Sequence, residues 1–432
     1  MKRIVASELS QHVGERVTMA GWLHNLRRMG RVNFLLLRDR TGLAQAVLGK
    51  EDLAPLEGLQ METVLEVSGN VVEAPPAPLG LELHGVELKV VSPVADTLPF
   101  ELNQPHLSAS LPVFLDHATV GQRHPRQRAT LRIAAGIAAG FRRALDAEGF
   151  TEIFTPKIVA SATESGANVF QLDYFGQPAY LAQSPQFYKQ IMVGVFEQVY
   201  EVGPVFRAEP HATTRHVNEY VSLDAEMGFI EDHFMVMDCL TRVMRTILAH
   251  LTGHCADELK MLEVELPQIG DRIPWIYFPD AQDLVYRREG IDARGEPDLA
   301  PEHERALGQW ANEEFGSDFL FVTGYPMAKR PFYTHPNPTD PAYSNSFDLL
   351  FRGMELVTGG QRLHIYDDYC VAAEKAGLSL EPYQEYLECF KYGMPPHGGF
   401  AIGLERFVAQ LLQAQNLRWA NLFPRDLARL KP

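Results

Sequence analysis

Cysteine is scarce in this 432-residue chain: Cys239, Cys255, Cys370 and Cys389 are the only four. They form no CxxC pair and have no histidine at zinc-ligand spacing, which excludes a disulfide framework and a structural zinc site and fits reduced thiols. Long apolar runs are also missing, since no stretch approaches the roughly 18 residues of a membrane span. The opening Met1-Lys2-Arg3-Ile4-Val5-Ala6-Ser7-Glu8 turns polar too soon for a secretory segment. A cytoplasmic protein with no membrane partner is therefore expected. There is no internal repeat and no low-complexity segment. What remains is 46% hydrophobic and 22% charged, the composition of an ordinary globular protein. The length predicts about two to three domains, each with its own core.

A formal net charge of −16 argues against a nucleic-acid partner, but the distribution argues the other way. Residues 1–50 hold nine Lys/Arg against three Asp/Glu, and residues 121–143 hold six arginines and no acid. The acid gathers in residues 281–320, with ten Asp/Glu against four arginines. Each basic run is as readily a solvated face as a docking patch. On an acidic protein two such zones can still steer a polyanion, because charge is felt over about 8 Å at physiological salt.

Short strand patterns fill residues 13–95. They are Val17–Leu23, Asn33–Arg38, Leu43–Leu48, Thr63–Val72 and Leu81–Val91, punctuated by Asp39-Arg40-Thr41-Gly42 and the Pro-rich Ala74–Gly80. Five strands in so short a span predict a small barrel, and the OB-fold is the common barrel of that size that binds oligonucleotides. Residues 96–128 read as a hinge broken by Pro99, Pro105, Pro112 and Pro125. Helical spacing returns in Thr130–Glu148 and ends at Gly149. The irregular mix of strands and helices that follows predicts an antiparallel α+β domain. The expected division is a barrel over 1–95, a hinge over 96–128, and a large domain over 129–432 with an acidic insertion at about 240–330.

Chemistry-bearing residues concentrate in separated segments. Thr151-Glu152-Ile153-Phe154-Thr155-Pro156 joins a helix end to a strand, and spacing alone leaves it there. Arg207, Arg215 and His216 lie in a loop between two apolar strands, suited to clamping a triphosphate or simply solvated. Gly398–Val408 combines a Gly-rich strand, open to a flat ligand, with Arg406 at a helix start. Asp348 and Glu355 fall on neighbouring strands if Arg352-Gly353 is a bend. They are either a magnesium pair or solvated strand-end acids.

Together these segments resemble the three signature motifs of the class II aminoacyl-tRNA synthetases, at Thr151–Pro156, Phe206–Ile230 and Gly399–Val408. The chain is most similar to the archaeal-type aspartyl enzymes of the aspartyl/asparaginyl/lysyl subgroup. The runs Ala182–Gln190, Phe206–Glu209, Thr213–His216, Gly393–Phe400 and Leu422–Asp426 all fit. The resemblance implies an OB-fold anticodon domain ahead of a catalytic domain built on an antiparallel sheet. It implies ATP as co-substrate, magnesium as cofactor, and a homodimer formed through Thr151–Pro156. Arg207 and Arg406 are the implied catalytic residues, Arg207 on the α-phosphate. Glu209 would receive the adenine amino group, while Arg215, His216 and Arg406 would hold the outer phosphates and Tyr220 would stack on adenine. Ala208, Val217, Glu355, Gly403, Leu404 and Glu405 complete the implied ATP contacts. Asp348, Glu355 and Thr358 would carry the metal; the family more usually has serine at the last position. For aspartate, Glu164 would receive the α-ammonium, Gln186 and Thr358 would lie against the substrate, and Lys189 and Arg362 would face its β-carboxylate. Asparaginyl relatives lack that lysine.

On the tRNA side the resemblance assigns Arg27, Phe34 and Gln45 to the central anticodon base. Strict aspartyl enzymes of this type carry Trp and Lys at the positions here held by His24 and Pro78. Relatives that charge two tRNAs carry such replacements. The expected activity is therefore aspartylation of both tRNA(Asp) and tRNA(Asn), with a tRNA-dependent amidotransferase as an implied partner. A strictly discriminating aspartyl enzyme, an asparaginyl-tRNA synthetase and an inactive tRNA-binding paralogue stay open as alternatives. Arg207, Glu355 and Arg406 are all retained, which weighs against the last.

Overall fold

Period-two alternation builds the first of two units. The computed structural model describes residues 3–160, 169–210 and 213–431 and separates into Met1–His117 and Ala118–Pro432, a division that falls inside the Pro-rich 96–128 stretch. In the first unit β1 (Arg3–Ile4) is followed by β2 (Arg16–Arg28), β3 (Asn33–Arg38), β4 (Leu43–Leu48), β5 (Val64–Glu73), β6 (Leu81–Ser92) and a short helix α1 (Leu111–Asp116). Val17, Met19 and Leu23 point inward from β2 while Thr18, Ala20 and Trp22 are half-buried. The inward residues join Leu35, Leu37, Leu65, Val67 and Leu83 in one apolar cluster. The sheet order is β1-β2-β3-β4-β6-β5, and β2 also pairs with β5. Six strands stand where five were expected, because the two-residue β1, parallel to β2, is too short to leave a periodic signal. The β3–β4 turn is set by Asp39, whose Oδ1 accepts the N–H groups of Thr41 at 2.7 Å and Gly42 at 3.1 Å.

The second unit opens with α2 (Ala118–Gly121) and α3 (Pro125–Ala147). Next come β7 (Thr151–Glu152), β8 (Ile158–Val159), β9 (Gln171–Tyr174), β10 (Gln177–Leu181), α4 (Gln186–Phe196), β11 (Gln198–Phe206) and β12 (Glu219–Gly228). Helices α5 (His233–His254) and α6 (Ala256–Leu262) precede β13 (Trp275–Tyr277), α7 (Phe278–Glu289), α8 (Pro301–Phe315) and β14 (Phe319–Thr323). The chain continues through β15 (Ser346–Phe351), β16 (Met354–Arg362), α9 (Tyr366–Lys375), α10 (Gln384–Lys391), β17 (His397–Gly403) and α11 (Leu404–Leu411).

Eight of these strands form one sheet, in the order β13-β14-β15-β16-β17-β12-β11-β7. The expected antiparallel sheet is present, with a parallel pair added at each edge that makes it mixed. The interior pairs are antiparallel, but β13–β14 and β7–β11 are parallel, one pair at each edge. Pairing direction depends on how the chain returns to the sheet, and local periodicity carries no trace of that. Only Thr151 and Glu152 of the Thr151–Pro156 segment are strand. Helices α3 and α5 cover one face of the sheet. Ile133, Ile137, Phe141 and Leu145 recur at helical spacing and meet Leu240, Met244 and Ile247 in a core that includes Leu223, Ala225 and Phe400. Phe141 sits edge-on to Tyr200 and Phe400; fully burying such a ring stabilises by about 2–3 kcal/mol. The opposite face of β12, β16 and β17 is left for polar chemistry. Among the described residues no helix is long and apolar enough to cross a membrane.

Candidate active site

Strand β12 is two-faced because side chains alternate. Leu223, Ala225 and Met227 enter the core, so Tyr220, Ser222, Asp224 and Glu226 line the other face. The register sets Ser222 opposite Gly403, Asp224 opposite Ala401 and Glu226 opposite Gly399. On β16, Thr358 pairs with Ala401 and Gly360 with Gly399. One continuous strip of the sheet thus runs from Tyr220 to Glu226, with different chemistry at its two ends.

At the Tyr220 end lies a cleft of about 280 Å³. Of the residues expected to contact ATP, all but Ala208 and Leu404 line it; Ser222 and Leu356 join them. Arg207 lies 6.0 Å from the Tyr220 ring. Arg406, from the first turn of α11, donates to the Glu355 carbonyl at 3.1 Å and lies 3.5 Å from its carboxylate. Burial first, then Arg406, holds His216 below its usual pKa. Glu405 points away from Arg406 into the protein: its two carboxylate oxygens accept the Val221 N–H at 3.2 and 3.1 Å. Burial pushes that carboxyl up to about 7.

Asp348 and Glu355 do fall on neighbouring strands. Arg352 and Gly353, both at positive φ, make the bend between β15 and β16. Thr358 donates to the Glu355 carboxylate at 3.1 Å. Asp348 pairs with Arg330 at 3.1 Å through Oδ2 and has the buried Tyr325 hydroxyl beside its carboxyl, while no hydrogen bond of ordinary geometry from the described residues reaches its Oδ1. Burial, opposed by Arg330 and helped by Glu355, pushes the Asp348 carboxyl up to about 6. Among the described residues no group of three or more His, Cys, Asp or Glu side chains is arranged to hold a metal ion. The orphaned oxygen and the crowded carboxylates fit magnesium in its usual manner, with one or two carboxylates and the rest of the shell from phosphate and water.

At the Glu226 end the residues are buried. Lys189 on α4, 1% exposed, donates to Asp224 Oδ1 at 3.1 Å and to the carbonyls of Ala225 and Phe400 at 3.4 and 3.3 Å. It also lies 3.2 Å from Glu226. Arg362 at the end of β16 donates to Glu226 at 3.0 Å, to the Gly399 carbonyl at 3.2 Å and to Gln186 at 3.4 Å. Burial pushes the Glu226 carboxyl up, but Arg362 and Lys189 overcome it and hold the group below the usual carboxylate range. Only glycine fits at 399: a Cβ there would sit 2.1 Å from the Ala225 carbonyl and 2.2 Å from the Glu226 carboxylate.

Gln186, Lys189 and Arg362 therefore meet, and Thr358 lies in the cleft beside them. Asp224 and Glu226, which compensate both cations, were not anticipated. Their signal was present in Val221-Ser222-Leu223-Asp224-Ala225-Glu226, where strict alternation aims two carboxylates at one face. Glu164 lies outside the described residues. In the first unit Arg27 is opposite Phe34 on β2 and β3, and Leu36 opposite Gln45 on β3 and β4. Arg27, Phe34 and Gln45 consequently share a face, and Gln45 donates to Glu82 at 3.0 Å. His24 occupies the position where β2 slips register between Leu23 and Asn25, and is buried. Pro78 starts the short 3₁₀ turn between β5 and β6. The arginine run at 121–143 is largely absorbed within its own unit: Arg126 binds the Met261 carbonyl, Arg132 pairs with Glu258 and Arg142 with Glu152.

Comparison with known proteins gives the family. Residues 112–427 match the family of class II tRNA synthetases (D, K and N), and residues 17–91 match the OB-fold nucleic acid binding domain. The chain is 46% identical over 430 residues to an aspartate–tRNA(Asp/Asn) ligase of Thermus thermophilus, covering the whole of both. It is 47% identical to one of Deinococcus radiodurans, covering 100% of this chain and 99% of the other. Among solved structures it is similar to asparaginyl-tRNA synthetase from Pyrococcus horikoshii with asparaginyl-adenylate, at a TM-score of 0.92 and 31% identity over both whole chains. An aspartyl-tRNA synthetase from Entamoeba histolytica matches with a TM-score of 0.88 and 29% identity, over 100% of this chain and 93% of that one.

Proposed function

Because the chain belongs to the class II aminoacyl-tRNA synthetases of the aspartyl, lysyl and asparaginyl group, we propose that it activates L-aspartate with ATP and transfers the aspartyl group to both tRNA(Asp) and tRNA(Asn). The observation that carries the amino acid is the buried meeting of Lys189 and Arg362 beside the nucleotide cleft. Two fixed donors suit a β-carboxylate. An asparagine amide would face them with its own N–H groups, a mismatch of several kcal/mol. The Asp/Asn tRNA range rests on the relatives of that name at 46% and 47% identity and on His24 and Pro78.

In this reading the α-carboxylate of aspartate attacks the α-phosphorus in line. A carboxylate–phosphorus bond forms as the bond to pyrophosphate breaks, with no covalent enzyme intermediate. Arg207 stabilises the crowded negative charge, and Arg215, His216 and Arg406 draw the outer phosphates away. Glu209 and Tyr220 hold adenine. Gln186 lies along the substrate, and Glu164 takes its ammonium. Asp348, Glu355 and Thr358 would hold magnesium, which would supply countercharge to the phosphates. The terminal ribose hydroxyl of the tRNA then attacks the activated carbonyl and AMP leaves.

The tRNA is bound at its anticodon by the OB-fold face carrying Arg27, Phe34 and Gln45. Stacking of a base on Phe34 contributes about 1–3 kcal/mol. Phe154, 82% exposed in the single chain, supports a homodimer through Thr151–Pro156. Charging tRNA(Asn) with aspartate requires an amidotransferase downstream, and the setting of that chemistry is the cytoplasm.

The test is aspartate charging of purified tRNA(Asp) and tRNA(Asn) at matched concentration and salt. Comparable kcat/KM on both is expected, and a preference above about a hundredfold for tRNA(Asp) sinks the two-tRNA reading alone. The likeness to an asparaginyl enzyme at a TM-score of 0.92 keeps a second reading. Pyrophosphate exchange driven by asparagine rather than aspartate would establish it.

A further inference from the structure

The acidic stretch 281–320 contributes to none of the three motifs, yet one of its carboxylates holds the backbone of Glu355, which lines the nucleotide cleft. Helix α8 is pressed backbone-to-backbone against the β15–β16 turn. A Cβ on Gly308 would lie 2.5 Å from the Gly353 nitrogen, and one on Gly353 would lie 2.8 Å from the Arg305 Cα. No side chain sits between helix and turn to yield, so their spacing is fixed. One turn earlier on the same helix, Glu304 Oε2 accepts the backbone N–H of Glu355 at 3.2 Å. The β15–β16 register slips just there, passing from Leu349–Val357 to Leu350–Glu355 and skipping Leu356. Glu355 is thus gripped from several sides. Glu304 takes its N–H, Arg406 binds its carbonyl at 3.1 Å, and Thr358 donates to its carboxylate at 3.1 Å.

We infer that Glu304 is a positioning residue for the nucleotide end of the site: by accepting the Glu355 N–H it fixes the direction in which the Glu355 carboxylate meets the phosphates and their cation. The inference rests on the ATP reading above and adds a residue from outside the motifs. The groups facing Glu304 are Glu355, Arg215 and Asp348. Glu304 meets Glu355 by accepting a backbone N–H, so the role belongs to a side-chain oxygen, and glutamine can fill it.

The experiment is calorimetric titration of the full-length protein with MgATP and, separately, with aspartate, alongside melting temperatures. Glu304→Ala is expected to weaken MgATP binding about tenfold, the loss of one buried hydrogen bond. Aspartate affinity should stay within about twofold. Glu304→Gln is expected to bind MgATP within about twofold of wild type. The inference falls if Glu304→Ala binds MgATP normally, if Glu304→Gln is as weak as Glu304→Ala, or if both ligands weaken together with the melting temperature. In each of these cases a wild type that binds MgATP leaves the ATP reading standing. Wild-type protein that binds no MgATP removes both.

Discussion

The two ends of the ligand strip solve opposite electrostatic problems. At the amino-acid end Lys189, Arg362, Asp224 and Glu226 are all less than 10% exposed, and the cations already meet carboxylates at 3.0 to 3.2 Å. Charge is balanced before any ligand arrives, and the geometry is held by the Ala225, Gly399 and Phe400 carbonyls. At the nucleotide end Arg207, Arg215, His216 and Arg406 are only half-buried. There burial first, with the Glu355 charge beside it, lifts the Asp348 and Glu304 carboxyls to about 6 and about 7. A small zwitterion with one extra carboxylate can be selected by a finished, rigid constellation, which loses little freedom on binding. A triphosphate with its cation brings several charges of both signs, so its site must keep unspent donors and acceptors. In the proposed reading the sheet places a specificity device beside a charge-handling device and joins them by the single strand β12.

The sharpest way to break this separation is Lys189→Met. It leaves Asp224 and Glu226 with one cation in place of two, and removing one partner of a buried pair costs about 3–5 kcal/mol. Aspartate-dependent pyrophosphate exchange should fall about a thousandfold, while MgATP affinity stays within about twofold. If MgATP binding collapses too, the two ends are not separable. Arg406→Ala probes the other end and should do less. It removes a half-buried donor from the Glu355 carbonyl and, in the proposed reading, from the phosphates, so kcat/KM for ATP should drop on the order of ten- to a hundredfold. Aspartate binding measured without ATP should not move; a matching loss there would show that Arg406 supports the whole sheet.

Much of this arrangement could be read beforehand, and the exceptions have physical causes. Strands β3 and β4 begin and end where the sequence put them because Asp39 and Gly42 hold the turn through local hydrogen bonds. The residues that gather in the cleft could be named because each motif is nearly contiguous. What was missed is long-range. The parallel edge strands arise from chain return, which leaves no local mark. Asp224 and Glu226 were visible as a strand pattern, but their function appears only when α4 and β16 deliver Lys189 and Arg362 to them. The arginine run at 121–143 read equally as a solvated face or a docking patch until Glu258 and the Met261 carbonyl, more than a hundred residues further on, met Arg132 and Arg126. Glu304 belongs to the same class: it contacts Glu355 only because two glycines allow α8 onto the β15–β16 turn.

The smallest predicted effect concerns Glu405, which lies next to Arg406 in sequence but faces inward. Its folded-state pKa of about 7 exceeds the model-peptide value of 4.5 because burial penalises the ionised form. Between those values the folded protein binds a proton that the unfolded chain has released. The carboxyl therefore weakens folding progressively as pH rises from about 4.5 to about 7, and the weakening is complete above that. Glutamine keeps an oxygen for the Val221 N–H and removes the titration. Glu405→Gln should accordingly gain ~2 kcal/mol at pH 8 relative to pH 5, seen as a melting temperature about 5 °C above wild type at pH 8 and close to it at pH 5. An equal offset at both pH values would mean that the ionised Glu405 carboxylate is well solvated by its donors, the Val221 N–H and the Asn421 side-chain amide at 3.4 Å. The inward-facing acid would then belong with the balanced amino-acid end rather than with the strained carboxylates beside the phosphates.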